Sequence, residues 1–426
     1  MEMTILFASF AIFLLMGVPV AFCLGLASLA TVLYMDIPPV VVFQQMSSGM
    51  NAFAMLAIPF FIYSGDLMIR GGIADRLIQL AAGLVGHLRG GLGQVNVITC
   101  TLFGGISGSA VADASAVGGI MIPQMVKRGY AADYAVNVTA NAAIIALLIP
   151  PSHNMIIYSL AAGGTISIAD LFTAGVVPGL LLCLALMVTA WVVAVRRGYP
   201  AGTFPGLATV GRYLVAALPG LLLIGIIFGG VRSGVFTATE SSCIAVIYAL
   251  LVTIFVYRQM NFPSFLAATL GAVRTTAMVL LVIGAASAFG WLMAFLQVPA
   301  ATIAAMRAIS DNPIVILLLI NVVLLVLGTF MDMAPMIIIC TPIFLPVVKA
   351  IGIDPVHFGV ILILNAGIGL NTPPVGSVQF VACAIGKVSI AQSMRTIWPF
   401  YGASFAVLLL VSYVPALSLT LPRFFH

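Results

Sequence analysis

Charge is scarce in this sequence. Only 6% of its 426 residues are Asp, Glu, Lys or Arg, against about 25% in soluble domains, so a solvated surface cannot be built from it. Hydrophobic residues make up 63% of the chain and the mean hydropathy is +1.24. A helix needs about 20 apolar residues to cross a bilayer. Windows 172–195, 213–230, 240–257, 276–297 and 397–418 all qualify. These runs are unbroken, whereas a membrane β-barrel alternates apolar and polar positions, which excludes a barrel. The net charge of +5 is small and scattered, as basic cytoplasmic loops would give, and nothing points to nucleic acid. The six cysteines show no C-x-x-C or Cys/His spacing and read as small core residues. No basic stretch precedes the first apolar segment (Met1-Glu2-Met3), so that segment is expected to stay as a span rather than be cleaved. No long polar region interrupts the chain. It reads as one all-α polytopic membrane domain, residues 1–426.

Residues 4–35 are too long for one comfortable helix, and Gly17-Val18-Pro19 offers a break. One tilted span and two short ones are both open. A span follows at 51–68. Residues 70–89 mix Arg70, Asp75, Arg76, Gln79, His87 and Arg89 with leucines and isoleucines, the pattern of an amphipathic helix along the interface or of a solvated connection. Trp191, Trp291 and Trp398 read as interface or packing residues, and the twenty methionines as core filler. The positive-inside rule places Arg70, Arg76, Arg89, Lys127, Arg128, Arg196, Arg197, Arg212, Arg258 and Arg274 in the cytoplasm. Residues 163–170, the loop near Arg232 and the stretch around Arg307 and Asp311 then fall outside. A cytoplasmic linker at 196–212 divides the chain into halves, 1–195 and 213–426.

The halves echo each other. Asp113 precedes Pro123 by ten residues, as Asp332 precedes Pro342. A Pro-Pro pair follows each, at 150–151 and 373–374, and "ISIAD" at 166–170 answers "VSIAQ" at 388–392. With the assigned orientation, the polar segment "GGISGSAVADASAVGG" (104–119) enters from and returns to the cytoplasm. The segment around Asp332 does so from outside. Neither has the apolar length for two full spans. The reading is an inverted repeat with re-entrant hairpins at about 91–128 and 313–349, and broken helices at about 133–162 and 356–385.

Irregular backbone at membrane depth is tolerated only when buried in protein or lining a cavity. Glycines let the hairpin tips turn, and proline removes an N–H and frees a carbonyl one turn back. Freed carbonyls with Ser, Thr and Asn oxygens make hard, neutral ligands suited to Na⁺. Half-helix N-termini at the same place suit a carboxylate. A cation and an anion sharing a neutral cage avoid burying net charge. Asp113 and Asp332 fall near the tips and either support the sodium sites or cap the returning half-helices. His153, beside Asn154, either meets substrate or is an ordinary buried histidine. Ser107 or Ser109 with His153 also spells an intramembrane serine hydrolase, but no histidine accompanies Asn371-Thr372 in the second half, and a dyad needs no inverted duplicate.

The segments "LAIPFFIYSGDLM" (56–68), "FGGISGSAVAD" (103–113), "IPPS" (149–152), "FTATESS" (236–242), "GTFMDMAP" (328–335), "GIDPVHFGV" (352–360) and "GLNTPPVG" (369–376) together resemble the large membrane subunit of tripartite ATP-independent periplasmic (TRAP) transporters, in order and over essentially the whole chain. The resemblance implies a sodium-coupled elevator transporter of the bacterial inner membrane. Na⁺ is its coupling ion, with no other cofactor. A periplasmic binding protein delivers a small organic acid, and a small four-helix membrane subunit, expected as a separate polypeptide, completes the assembly. It further implies sodium sites at Ser107, Gly108 and Ser109 with Pro150-Pro151, and at Gly328, Thr329 and Asp332 with Asn371, Thr372 and Pro373. Substrate is expected near Ser107, Asp113, Ser152, His153, Asn154, Asn371 and Gly376. Asp113 and His153-Asn154 differ from sialic-acid-type members, which favours a dicarboxylate or related acid. A standalone ion-coupled anion symporter needing no binding protein is the alternative.

Overall fold

The computed structural model describes residues 1–424, so the last two residues of the 213–426 half lie outside the described residues. Every regular element among those described is helical. Gly17 takes a left-handed φ of +79° and Pro19 lacks an N–H, so residues 4–35 become two helices, α1 (Glu2–Leu15) and α2 (Val20–Tyr34), packed on each other. Next come α3 (Val40–Met50), a 3-10 turn (Phe53–Leu56) running into α4 (Ala57–Arg70), and α5 (Ile73–Val85). Gly72, at φ +78°, separates α4 from α5. On α5 the helical period buries Ile73, Leu77, Leu80 and Ala81 and leaves Asp75 and Gln79 exposed. That buried stripe meets two later helices, Gly91–Ser107 and Leu207–Arg232, so the amphipathic segment of 70–89 lays its apolar face on protein.

The chain continues as α6 (Gly91–Ser107), α7 (Ala110–Lys127), α8 (Ala132–Ala143), α9 (His153–Ala161) and α10 (Ile168–Arg196). After the connection 197–206 come α11 (Leu207–Arg232), α12 (Ala238–Leu251), a π turn (Val252–Val256), α13 (Phe262–Phe295) and α14 (Val298–Ile309). Then follow α15 (Pro313–Gly328), α16 (Met333–Ala350), α17 (Pro355–Gly369), α18 (Ser377–Gly386), α19 (Ile390–Thr396), α20 (Trp398–Tyr413) and α21 (Ala416–Phe424). Arg196 and residues 207–212 are helical, so the irregular link between halves is shorter than the 196–212 read from composition. It is tied down by two Arg197–Asp133 hydrogen bonds of 3.0 and 2.9 Å and by a Gly90 N–H to Pro200 carbonyl bond of 3.1 Å.

Among the described residues, six helices, or seven if the bent α19–α20 pair counts as one, have the length and hydropathy of a membrane span. One finding differs from the reading of the sequence. The apolar window 397–418 is not continuous: α20 stops at Tyr413 because Pro415 cannot continue it, and α19 meets α20 at 64°. Of the pair α15–α16, α16 is long and apolar enough to span and α15 has only 16 residues.

Burial sorts the helices. Residues 134–143 of α8 and 357–369 of α17 are all buried, Asn137, Thr139, Asn141, His357 and Asn365 included, so these short helices run through the protein interior. The long helix α11 buries only 22% of its most apolar window and faces outward. Helix α13 packs on α2, α3 and α4, and α12 packs on α4. Helices α7, α8 and α18 pack on one another in a separate cluster. Buried side chains fasten the interior helices: Asn96 of α6 donates to Thr139 of α8 at 2.6 Å, and Asn365 of α17 donates to Asn321 of α15 at 2.9 Å. Five cysteines are buried and Cys243 is half-buried, all as free thiols. Trp398 and Trp191 are exposed, and Trp291 stacks on Phe295.

Candidate functional site

Helix α6 ends at Ser107 because Gly108 turns left-handed, at φ +59°. Ser109, extended at φ −133°, then caps α7, its hydroxyl accepting the Ala112 N–H at 3.4 Å. The N-cap is therefore Ser109, not Asp113. Asp113 lies fully buried in the first turn of α7, where its carboxylate accepts the Ser107 hydroxyl, and its other oxygen has no partner.

The first interruption faces this turn. Helix α8 tightens into a 3-10 turn (Ile144–Leu147) before a cis Pro150-Pro151 bond, and helix resumes at His153 with Ser152 in the N-cap position. A Cβ on Gly108 would lie 2.9 Å from the Pro151 carbonyl oxygen and 3.3 Å from His153 Nδ1. Asn154 Nδ2 donates to the Gly108 carbonyl at 3.2 Å. Turn and interruption thus touch. Ser152 Oγ and Asn154 Oδ1 are buried without a partner.

The second half builds a related arrangement. Helix α15 ends at Gly328, and Asp332 takes the N-cap position of α16 without a capping bond from its side chain. The Val375 N–H donates to the Thr329 carbonyl at 3.1 Å, and Ser377 Oγ approaches Asp332 Oδ1 at 3.5 Å. Past α17, Thr372 Oγ1 donates to the Ile368 carbonyl at 3.0 Å ahead of a cis Pro373-Pro374 bond. Gly376 starts α18 at φ +24°. Asn371 Nδ2 reaches the Ala140 carbonyl of α8 at 3.0 Å, its own carbonyl accepts the Tyr401 hydroxyl, and its Oδ1 is buried without a partner. Gly328 and Gly369 cross closely: a Cβ on Gly369 would sit 2.7 Å from the Gly328 backbone. The two acids are not equivalent, since Asp113 is buried and Asp332 exposed.

A cavity of about 400 Å³ joins the two halves. Of the residues expected at a site, Ser107, Ser109, His153, Asn154 and Asp332 line it. Asp113, Ser152 and Asn371 are buried outside its lining, and Gly108, Pro150, Pro151, Gly328, Thr329, Thr372, Pro373 and Gly376 form the turns and interruptions around it. The first residues of α7, α9 and α16 (Ala110–Ala112, His153–Asn154, Met333–Ala334) face the cavity, so three helix N-termini converge there. Among the described residues, neither Arg nor Lys lines it. Asp66 of α4 and Thr275 of α13 do, and the reading of the sequence missed both. The signal for Asp66 was present, because an acid inside an apolar span is a functional candidate by default. No hydrogen bond joins Ser107 or Ser109 to His153 among the described residues, and the Ser107 hydroxyl is committed to Asp113, which leaves no nucleophile–base pair.

Known proteins share this chain's sequence and fold. The family model described as the tripartite ATP-independent periplasmic transporter, DctM component, matches residues 7–417. The uncharacterized protein YgiK of Salmonella typhimurium is 47% identical over 99% of this chain and 97% of its own length. The sialic acid TRAP transporter large permease protein SiaM of Vibrio cholerae is 40% identical over 96% of both chains. The isethionate TRAP transporter permease protein DctMQ of Oleidesulfovibrio alaskensis is 39% identical over 99% of this chain and 66% of its own length. Permeases named for two different substrates are thus equally distant, and identity alone does not sort this chain by substrate. Among solved structures, MtrF of Neisseria gonorrhoeae superposes with a TM-score of 0.62 over 89% of this chain and 85% of that one, at 11% identity, a likeness of fold alone. The chain belongs to the DctM family: it is the large permease component of a tripartite ATP-independent periplasmic transporter, a multi-pass inner-membrane protein and not an enzyme.

Proposed function

We propose that this permease couples sodium entry to import of a small organic acid, a dicarboxylate or related carboxylate, by an elevator movement. The observation that carries the reading is the cavity at which three helix N-termini converge without a single cationic side chain. Helix dipoles favour an anion there, but a carboxylate at membrane depth needs fuller compensation, which a bound cation would supply. The residues present fit Na⁺: around the cavity, Asp113 Oδ2, Ser152 Oγ, Asn154 Oδ1 and Asn371 Oδ1 are buried acceptors without a partner, and buried polar groups are otherwise almost always paired. Ser107, Gly108 and Ser109 with Pro150-Pro151 would hold one sodium ion. Gly328, Thr329 and Asp332 with Asn371, Thr372 and Pro373 would hold the other. Each sodium site would fix a turn against its interruption, and so shape the cavity for the acid. His153 and Asn154 would then orient the substrate.

In this reading α6–α7 and α15–α16 are re-entrant hairpins of an inverted repeat, and they move with the broken helices α8–α9 and α17–α18. The packing of α13 on α2, α3 and α4, and of α12 on α4, supports their role as scaffold, with α16 resting on it through α13 and α5 as an arm along the interface. A periplasmic binding protein delivers the acid, and a small four-helix membrane subunit completes the assembly. The relatives named for isethionate, a sulfonate, and sialic acid, a carboxylate, support an organic anion as the broader substrate class. The test is uptake by vesicles holding the large and small subunits, with binding protein supplied outside. Uptake should follow an inward sodium gradient and stop when choline replaces sodium. Undiminished uptake without sodium would sink the coupling, and uptake independent of the binding protein would favour a standalone symporter.

A further inference from the structure

Asp66 is an acid without an ordinary employment. It sits in the apolar helix α4, four residues before Arg70, where an i,i+4 ion pair would be its usual use. No ion pair forms at contact distance: Arg70 is exposed, lies outside the cavity lining and acts on Asp66 only as a nearby positive charge, and Asp66 has no hydrogen bond or salt bridge among the described residues. Its carboxylate instead lies in the cavity wall against α13, where a Cβ on Gly271 would come within 2.8 Å of Oδ2. Glycine at 271 makes room for it. The titratable or charged groups lining the cavity are Asp66 from α4, Asp332 from α16 and His153 from α9. Asp113 adds a carboxylate behind Ser107.

A cleft lined by charge of one sign, with low-dielectric walls, concentrates counter-ions and repels co-ions. For a site read above as receiving an organic anion, that sign is the wrong one. We propose that Asp66 is a specificity-determining residue that makes the cation-free cavity reject anions, so that the acid enters only after a cation has neutralised the wall. The inference rests on the transport reading. In that reading Asp113 and Asp332 support the sodium sites, whereas Asp66 belongs to the scaffold helix α4. It therefore supplies a fixed charge that does not travel with the turns. Its consequence is protection against leak: an unaccompanied anion is turned away before the turns can carry it.

The test needs no knowledge of the substrate. Ser115 lines the cavity and is exposed, so Ser115→Cys gives a reporter thiol. Of the natural cysteines five are buried, and half-buried Cys243 does not line the cavity. The full chain, reconstituted with its small subunit, is labelled at low ionic strength with anionic, cationic and neutral methanethiosulfonate reagents, and the chain without the added cysteine provides the background. Asp66→Asn should raise the anionic-to-cationic rate ratio on the order of tenfold, with little change in the neutral rate, while Asp66→Glu should keep the ratio low. An unchanged ratio in Asp66→Asn, or a raised one in Asp66→Glu, overturns the proposal. Replacing choline with sodium tests the transport reading separately. If sodium leaves the ratio unmoved while Asp66→Asn raises it, the sodium reading fails and the role of Asp66 stands.

Discussion

Gly108→Ala is the sharpest test of the contact between the first turn and the first interruption. At φ +59° an alanine costs roughly 1–2 kcal/mol in backbone strain. Its methyl would also lie 2.9 Å from the Pro151 carbonyl oxygen, which is backbone and cannot swing aside as a side chain would. Overpacking of this kind adds roughly 1–3 kcal/mol, for a total of about 2–5 kcal/mol. The strain falls between Gly108 and Pro151, where the first sodium site is proposed, so it should lower the unfolding midpoint in choline and, where the turn parts from Pro151 to relieve it, weaken sodium binding. At about 1.4 kcal/mol per tenfold, relief of the lower bound by such parting in the sodium-free state would raise the required sodium concentration roughly 30-fold. The assay is thermal unfolding of the purified protein in rising sodium chloride, with choline chloride holding ionic strength constant. A ligand that binds only the folded state raises the midpoint as its concentration passes the dissociation constant. Gly119→Ala is the control. It lies in α7 with nothing within 4 Å of the added carbon, and should stabilise by roughly 0.5–1 kcal/mol while leaving the sodium dependence alone. If Gly108→Ala kept both the wild-type midpoint and the wild-type sodium response, the crowded turn and the sodium site built on it would be refuted.

Ser107→Ala and Thr372→Ala should each raise the sodium concentration for half-maximal uptake. Ser107→Ala should also lower stability by roughly 1–3 kcal/mol, because it strips a buried Asp113 oxygen of its donor; sodium titrations of uptake matching wild type would remove both hydroxyls from the sites. Gly369→Ala forces a carbon to within 2.7 Å of the Gly328 backbone, so α15 and α17 must separate at a cost of roughly 1–3 kcal/mol. Its unfolding midpoint should fall in choline as well as in sodium, and an unchanged midpoint would contradict the close crossing.

Much of this protein is local and could be read along the chain. Scarce charge and long apolar runs select a helical membrane protein, because the bilayer leaves few ways to satisfy a backbone. Gly108 and the two Pro-Pro pairs mark where helices stop, since φ and a missing N–H belong to single residues. The motifs around 103–113 and 369–376 mark the family for the same reason. Packing decided the rest. Asp113 is a good capping residue by type, yet Ser109 occupies the cap and Asp113 turns inward to Ser107. The apolar run 397–418 looks continuous to a hydropathy window, which is blind to one proline. Asp66 and Thr275 enter the cavity lining because α4 and α13 pack against each other beside the turns. Hydropathy, turns and breaks follow from neighbours in sequence. The cavity follows from which backbones cross, as Gly328 and Gly369 do, and that is set by the shapes of helices far apart in the chain.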